Sequence, residues 1–438
     1  MKYTPKIIKR ILKKCIKEMS LHPKLYCKNP GKDFTRERKL PFAQILKTIL
    51  SMTGKSICGE LMEHFNLNPS MPTVSAFVQQ RNKVDHSAFE TLFHTFTNTV
   101  DEQTLFKGYR LLAVDGSDLH TPTNRNEKES FFENSIGQKP YNLLHLNAIY
   151  DIQRRIYTDA IVQDGKHENE HKAFVTMVDR DNSAIPTIYI ADRGYESYNN
   201  IAHIIEKGRC FLIRAKDLQK YGIADGLRLD LQGEFDVSVK IGLTRQKSIQ
   251  SKDNGLKLLS HTATFDYLPS SSKRSIPMQP YYLSFRIVRF KLTEDTYEIL
   301  LTNLTENEFS VSELKELYAM RWGLETSFRD LKYTLALSFF HSKKTENILQ
   351  EIFARLTMYN FAELITSHVV VKQKNRKHSY RINFSVAVRI CRNFFLKNIS
   401  PQTVEALLLQ HLLPIRIGLS NPRRGSPRVA PSFTYRIP

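Results

Sequence analysis

Four side chains in one short stretch have the types and spacing for phosphate chemistry. Tyr318, Arg321, Glu325 and Lys332 stand at offsets of three, four and seven within YAMRWGLETSFRDLK, and at 100° per residue a helix gathers them within about 60° of arc. One carboxylate flanked by two cations and a phenol suits a metal ion that grips a phosphodiester. Two aspartates elsewhere complete such a site on paper. Asp115 follows the apolar run 109–114 and Asp192 follows 187–191, each before a glycine-containing turn. Acids are disfavoured inside β structure but well placed at a strand end, where they project into a shared cleft. Three carboxylates from three elements can hold two hard divalent cations, Mg2+ first and Mn2+ as its substitute. Asp118 is the alternative ligand near Asp115. Each acid taken singly also fits a plainer reading, as a turn aspartate or a solvated helix glutamate.

Something must hold these residues in place. An apolar stripe of Leu317, Met320, Leu324, Phe328 and Leu331 runs beside the polar face and predicts one amphipathic helix over 318–332, docked on a core. Upstream, Ser310 and Glu313 have the spacing of a capping box. From residue 109 the pattern is one of short apolar runs: a strand over 109–114 ending on Asp115 and a turn at Gly116-Ser117, a polar loop over 121–141, then strands 143–150 and 155–162 turning at 151–154. A helix over 171–181, a strand at 187–191, a helix over 197–207 and a strand at 210–214 follow. Antiparallel strands that give way to alternating strands and helices imply a mixed sheet covered by helices. Residues 216–301 alternate differently and read as an inserted antiparallel β subdomain. Residues 1–107 are helical in pattern, with pieces at 5–20, 42–52 and 56–66. A helix-turn-helix-like pair then follows, its first helix opening at Pro72-Thr73 and its second capped by Asp85, with Phe89, Leu92 and Phe93 inward. Gln79, Gln80, Arg81 and Lys83 are the side-chain types that face outward there to grip a phosphate backbone or read base edges. Beyond the central helix come a long apolar helix over 345–371, a basic linker over 372–381, two short helices within 385–412 and a Pro- and Arg-rich extended end.

Charge placement narrows the partner. Of the net +20, residues 1–40 and 371–438 each carry thirteen Lys and Arg, against three and one acids, which leaves the middle slightly negative. Basic ends on a near-neutral body suit a polyanion, because phosphate neutralisation releases counterions and steers association. No run of eighteen apolar residues exists, and the five cysteines are scattered without a CxxC, so a membrane span, a disulfide framework and a zinc knuckle are not expected. A cytoplasmic protein is the expectation.

Asp115 in VDGSD, Asp192 in IADRGYES and Glu325 within the Tyr318, Arg321, Glu325, Lys332 spacing resemble the Asp-Asp-Glu triad and Tyr-Arg-Glu-Lys signature of the IS-four family of bacterial insertion-sequence transposases. The resemblance spans roughly residues 70–365. It implies an α/β fold with a ribonuclease-H-like mixed sheet, divided as 108–215 and 302–370, interrupted by the β-rich 216–301, with a helical N-terminal DNA-binding domain (1–107) and a basic, helical C-terminal region (371–438). It implies metal binding by Asp115, Asp192 and Glu325, and phosphate contacts from Tyr318, Arg321 and Lys332, with Trp322 beside the signature arginine and Arg193 beside the second acid. DNA would be the partner, as terminal inverted repeats and target, with a homodimer in the paired-end complex and a bacterial, nucleoid-associated location. The chain departs from the family in its aromatics. A member can stack a flipped base on an aromatic of the inserted region, yet Trp322 is the only tryptophan here, so that stacking would fall to a Phe or Tyr.

Two motifs point elsewhere. His167-Glu168-Asn169-Glu170-His171 satisfies HExxH, which requires both histidines on one helical face to hold zinc with the glutamate as base, but it follows Asp164-Gly165-Lys166 at a strand-to-helix turn. Gly54-Lys55-Ser56 imitates the end of a phosphate-binding loop, without the leading glycine or strand. The function expected is metal-dependent DNA cleavage and strand transfer. A catalytically inactive DNA-binding descendant and a zinc peptidase are the alternatives.

Overall fold

The computed structural model describes residues 3–415 apart from Glu37, Glu102, Asp295 and residues 134–138, 217–221, 224–226, 228–232, 251–254, 270–278 and 373–377. The Arg-rich end beyond residue 415 lies outside the described residues. Five helices open the chain: α1 (Pro5–Leu21), α2 (Phe42–Ser51), α3 (Ile57–His64), α4 (Val74–Arg81) and α5 (Ser87–Thr99). Polar caps set their starts, since the side chains of Thr4, Ser56 and Thr73 each accept a backbone N–H of the first turn. The lysine-rich start is amphipathic. Ile8, Leu12, Cys15, Ile16 and Met19 bury one face of α1, while Lys6, Arg10, Lys13, Lys14 and Lys17 stay exposed.

The sheet begins with β1 (Arg110–Thr121), the short β2 (Phe131–Phe132), β3 (Tyr141–Asp151) and β4 (Ile156–Asp164). β1 pairs antiparallel with β3, and β3 with β4, across a turn where Arg155 takes a φ of 59°. Contrary to the turn expected at Gly116-Ser117, β1 runs straight through it, because β3 continues to pair as far as Thr121↔Asn142. Then come α6 (Glu170–Arg180), β5 (Thr187–Ala191), α7 (Tyr198–Glu206) and β6 (Cys210–Ala215). β5 lies parallel to β1, and β6 parallel to β5. The order β4-β3-β1-β5-β6, three antiparallel strands followed by two parallel ones, is the ribonuclease-H-like arrangement.

The inserted segment supplies β7 (Phe235–Thr244), the one-turn α8 (Lys247–Gln250), β8 (Leu256–Leu258), β9 (Tyr281–Thr293) and β10 (Thr296–Thr302). Its strands continue the same sheet, in the order β6-β10-β9-β7-β8. Two helices, α9 (Val311–Ala319) and α10 (Trp322–Arg329), then cross one face, and a π-helical turn (Asp330–Thr334) follows them. The single helix expected over 318–332 is therefore broken at Met320-Arg321. Leu314 and Leu317 of α9 pack with Ile188, Ile190, Leu212 and Leu300, whereas Leu324, Phe328 and Leu331 pack with Ala113, Leu146, Ala148 and Tyr157. A straight helix does not follow both patches of a twisted sheet, and the break lets each half seat on its own strands.

The chain closes with α11 (Thr345–Thr366), β11 (Tyr380–Ile382), α12 (Phe384–Leu396), α13 (Pro401–Gln410) and β12 (Leu412–Pro414). α11 is the buried axis of the helical layer, packed in one apolar cluster with α1, α2, α5 and α12. It also corrects the reading of Arg81. That side chain is 1% exposed, pairs with Glu351 at 2.9 Å and donates to Gln350 Oε1 at 2.9 Å. Its direction follows from Phe77, one turn earlier on α4, which is fully buried and turns the same face inward. Lys83 beyond the helix stays half-buried, 3.9 Å from Asp33.

Glu351 also holds His341 and Arg355, each at 2.9 Å. Burial pushes its carboxyl up, and these three partners more than reverse that, holding it well below the ordinary range. Arg81→Met should therefore cost about 1–3 kcal/mol, because Gln350 Oε1 loses its buried donor while Glu351 keeps Arg355 as counter-charge, and it should leave the salt dependence of any polyanion binding unchanged. Urea denaturation and a salt titration of DNA affinity on one preparation check both halves, and a stable variant with a flatter salt slope would return Arg81 to the surface.

Candidate active site

The parallel pairing of β1 with β5 ends at Val114↔Ala191, so Asp115 and Asp192 are the next residues on two neighbouring strands. Paired strands lie roughly 4.8 Å apart, which sets the two acids abreast. β5 stops there because Asp192 Oδ1 accepts the N–H of Gly194 at 2.7 Å and closes a 3-10 turn over Arg193–Tyr195. Asp115 Oδ1 accepts the N–H of Gly116 at 2.9 Å. Alternation along β1 turns Asp115 to the same face as Ala113, which packs with α10.

That face brings in Glu325. α10 is pinned by its apolar stripe and by a 2.6 Å hydrogen bond between Ser327 Oγ and Tyr157 Oη of β4, which leaves Glu325 half-buried on the opposite side. Arg321, at the break between α9 and α10, lies between acids: 2.9 Å from Glu325 Oε1 and 3.7 Å from Asp115 Oδ2. Burial raises the carboxyl of Asp115, Asp192 and Glu325 raise it further, and against the pull of Gly116 N–H and Arg321 it reaches about 6. Two of the three acids face one arginine. Arg321 Nε and Tyr318 Oη are buried without a hydrogen-bond partner, two polar groups still able to take one. Lys332, on the π turn, is half-buried with Asp118 as the acid that acts on it. Trp322 is 59% exposed, and Arg193 is exposed beside Asp192. Arg81 and Lys83, on and beyond α4, are not among these residues.

Asp115, Asp192 and Glu325 do not all close to within 4.8 Å of one another. Among the described residues the groups that do are Asp118–His145–Glu168 and Asp85–His86–Glu346. The first was not foreseen. His145 Nδ1 is 2.8 Å from Asp118 and its Nε2 is 3.0 Å from Glu170. Burial opposes its charge, but hydrogen bonds to these two acids lift its pKa to about 9, so it is a cation at neutral pH. This pair lies against Gly116 on the sheet face opposite Asp115. A Cβ at Gly116 would stand 2.2 Å from Glu170 Oε1 and 2.4 Å from His145 Nε2. The signal in the sequence was Gly116 itself, read as a turn residue when it is a close-approach residue.

The strand-to-helix turn expected at the HExxH match is present. His167 lies in a 3-10 turn (Gly165–His167) against Glu129, while His171 is on α6, with Asn200 at 2.8 Å from its Nδ1. The two histidines do not share a helical face, because Asn169 caps α6 between them. Gly54-Lys55-Ser56 has a structural task instead, with Ser56 capping α3.

A family model described as a transposase DDE domain matches residues 106–361, a span that holds all three acids. The transposase for insertion sequence element IS421 of Escherichia coli is 25% identical over 260 residues, which cover 57% of this chain and 64% of that relative. The InsL protein of element IS186A from Escherichia coli K12 is similar to the same extent. The matched region thus falls short of two thirds of these relatives' own length. A piggyBac transposase in a synaptic complex with hairpin DNA has a TM-score of 0.48 and 9% identity, covering 96% of this chain and 87% of that one.

Asp115 generates a prediction with a definite sign. Its carboxyl binds a proton more tightly in the fold, near 6, than at its ordinary 3.8. Ionising it therefore costs stability as pH rises from 3.8 to 6, and that stability is missing above 6. Asp115→Asn should stabilise the metal-free protein by about 1–3 kcal/mol above pH 6, with the gain fading as pH falls toward 4. Thermal melts of both forms across that range check it. A gain that persists unchanged at the acid end would show that charge is not its source.

Proposed function

Because the chain belongs to the transposase DDE domain family, we propose that it is a DNA transposase that cleaves DNA at the ends of an insertion sequence and joins them to a target. One observation carries the reading to particular residues: Asp115 and Asp192 stand abreast beyond the last parallel pair, and Arg321 ties Glu325 to Asp115 across the cleft. All three donors are carboxylate oxygens, the ligands of hard cations such as Mg2+ or Mn2+. The elevated Asp115 carboxyl supports the fit, since it marks a site that still favours added positive charge. A divalent ion bound there would lower the pKa of a water or 3′-hydroxyl and offset charge on the leaving oxygen.

The protein's own contribution is position and charge. Asp115, Asp192 and Glu325 hold the cation side of the cleft. Arg321, with one donor unpartnered and one on Glu325, can turn its planar fork to a phosphate. Lys332 adds a point charge from the π turn, Tyr318 a hydroxyl, and Arg193 and Trp322 line the approach. The exposed lysine face of α1 and Lys83 would hold DNA away from the chemistry, which fits residues 1–107 as the DNA-binding part, 108–215 with 302–370 as the catalytic core, 216–301 as the insertion and 371–438 as the basic end. A homodimer would synapse two ends, in a bacterial, nucleoid-associated setting. No helix among the described residues is long and apolar enough to cross a membrane.

Alanine at Asp115, Asp192 or Glu325 should lower Mg2+-dependent nicking of end DNA by at least a hundredfold while leaving end binding within about threefold, since phosphate contacts elsewhere persist. Any one variant that cleaves at the wild-type rate removes its residue from the set.

Arg321→Ala separates the arginine's two tasks. Without its guanidinium the acids repel unopposed, so added Mg2+ should raise the melting temperature of the variant by several degrees more than it raises that of the wild type. Equal metal-induced shifts would show that Arg321 does not balance the metal-binding acids.

A further inference from the structure

A cleft of about 830 Å3 opens beside the catalytic helix, walled by α10, the π turn, the end of α11, the β3–β4 turn and β11. Arg329 lines it one helical turn after Glu325, about 6 Å farther along the axis. Arg155 and Arg381 face it across the opening, and all three guanidinium groups act on Asp330 in the cleft wall. Arg155 is engaged with buried Glu363 at 2.9 Å. Arg329 and Arg381 are different. Both are exposed, and neither makes a hydrogen bond or ion pair among the described residues. With Glu363 matched by Arg155, Asp330 is the one acid left for Arg329 and Arg381, so the surplus charge is positive. Tyr333, next to Lys332, lines the same cleft and is 68% exposed, an unusual position for a large ring with no role in the core.

We propose that this cleft holds a single-stranded stretch of DNA leading from the scissile phosphate, with its phosphates on Arg329 and Arg381 and a base on the face of Tyr333. The inference rests on the transposase reading, and goes beyond it by giving the strand a path. A positive groove with an exposed aromatic is how single strands are held without regard to sequence, because every base offers a π face. A duplex keeps its bases stacked and does not enter a cleft of this size, so an unpaired segment is the form that fits. The position one turn past Glu325 matches the next phosphates of a strand already seated between Asp115, Asp192 and Glu325.

The test uses the full chain and a short oligothymidylate, with a duplex of equal length as the second arm. Fluorescence anisotropy across a salt series should give a log-affinity slope flatter by about 1.4 for Arg329→Ala/Arg381→Ala on the single strand, two phosphate contacts at about 0.7 each, and little change on the duplex. Arg329→Lys/Arg381→Lys should keep the slope. Tyr333→Ala should weaken single-strand binding about tenfold with no change of slope, because stacking releases no counterion, and Tyr333→Phe should restore it. Photo-cross-linking with 5-iodouracil in the oligonucleotide should map to Tyr333. All these side chains are exposed, so the variants should fold. Unchanged slopes with a cross-link elsewhere overturn the proposal, and so do losses confined to the duplex or a change only in oligomeric state. If the wild type binds the single strand here but never nicks end DNA, the transposase reading fails and the cleft assignment stands. If it nicks and the cleft variants bind as wild type, the reverse holds.

Discussion

Two carboxylates side by side at the end of a parallel strand pair are the constraint that the rest of the site answers. The register Val114↔Ala191 leaves Asp115 and Asp192 no separation except the spacing between strands. Like charges that close disfavour joint ionisation, and the structure meets the repulsion in three ways. Backbone N–H groups of Gly116 and Gly194 donate to the two acids. Arg321 approaches from the helix layer. Asp115 gives way, its carboxyl rising to about 6 under burial first and its acidic neighbours second. A fold that only needed stability would place an apolar residue there. Keeping the acids makes sense for a site completed by added positive charge.

What could be read in advance followed from short-range chemistry. The strand over 187–191 was legible to the residue, as five apolar or β-branched residues closed by an Asp-Arg-Gly turn. The capping box of Ser310 and Glu313 forms as its spacing implied. Asp192 was legible as a strand-end position and Glu325 as a helix-face position, whereas Asp115, expected at a strand end, lies inside β1 where only the pairing with β5 ends. What escaped depended on partners distant in the chain. Gly116-Ser117 has the composition of a turn, yet pairing with β3 carries β1 through it, and the glycine serves the His145–Glu170 contact instead. Arg81 has the composition of a DNA contact, yet Glu351 lies 270 positions later in the chain and draws it inward. Periodicity marked the inserted strands as β structure but could not show that they extend the central sheet, because hydrogen-bonding edges leave no trace in local pattern.

The broken helix divides the four signature residues between two packing patches. Had 318–332 been a straight helix, its four polar residues would form one stripe at fixed spacing. The break at Met320-Arg321 instead assigns Tyr318 to α9, packed over the inserted strands and β5–β6, and Glu325 to α10, over β1 and β4. Arg321 falls at the junction, 3.7 Å from Asp115 Oδ2 and 2.9 Å from Glu325 Oε1. At the other end Lys332 lies within the π turn, and such turns recur at functional sites.

That turn is not held by the site alone. Leu335 N–H donates to Asp330 O at 3.0 Å to close it, and Leu335 O in turn accepts Arg355 Nε of α11 at 2.7 Å. Arg355 pairs with Glu351, and Glu351 with Arg81 of α4. A line of hydrogen bonds, charge-assisted from Arg81 to Leu335 O and backbone from there, thus runs from an N-terminal helix to the turn that carries Lys332. Buried ion pairs contribute little net stability compared with apolar packing, but they demand one geometry, since any displacement leaves a charge unmatched. The helices at the start of the chain and the polar face at its centre are for that reason positioned as one unit.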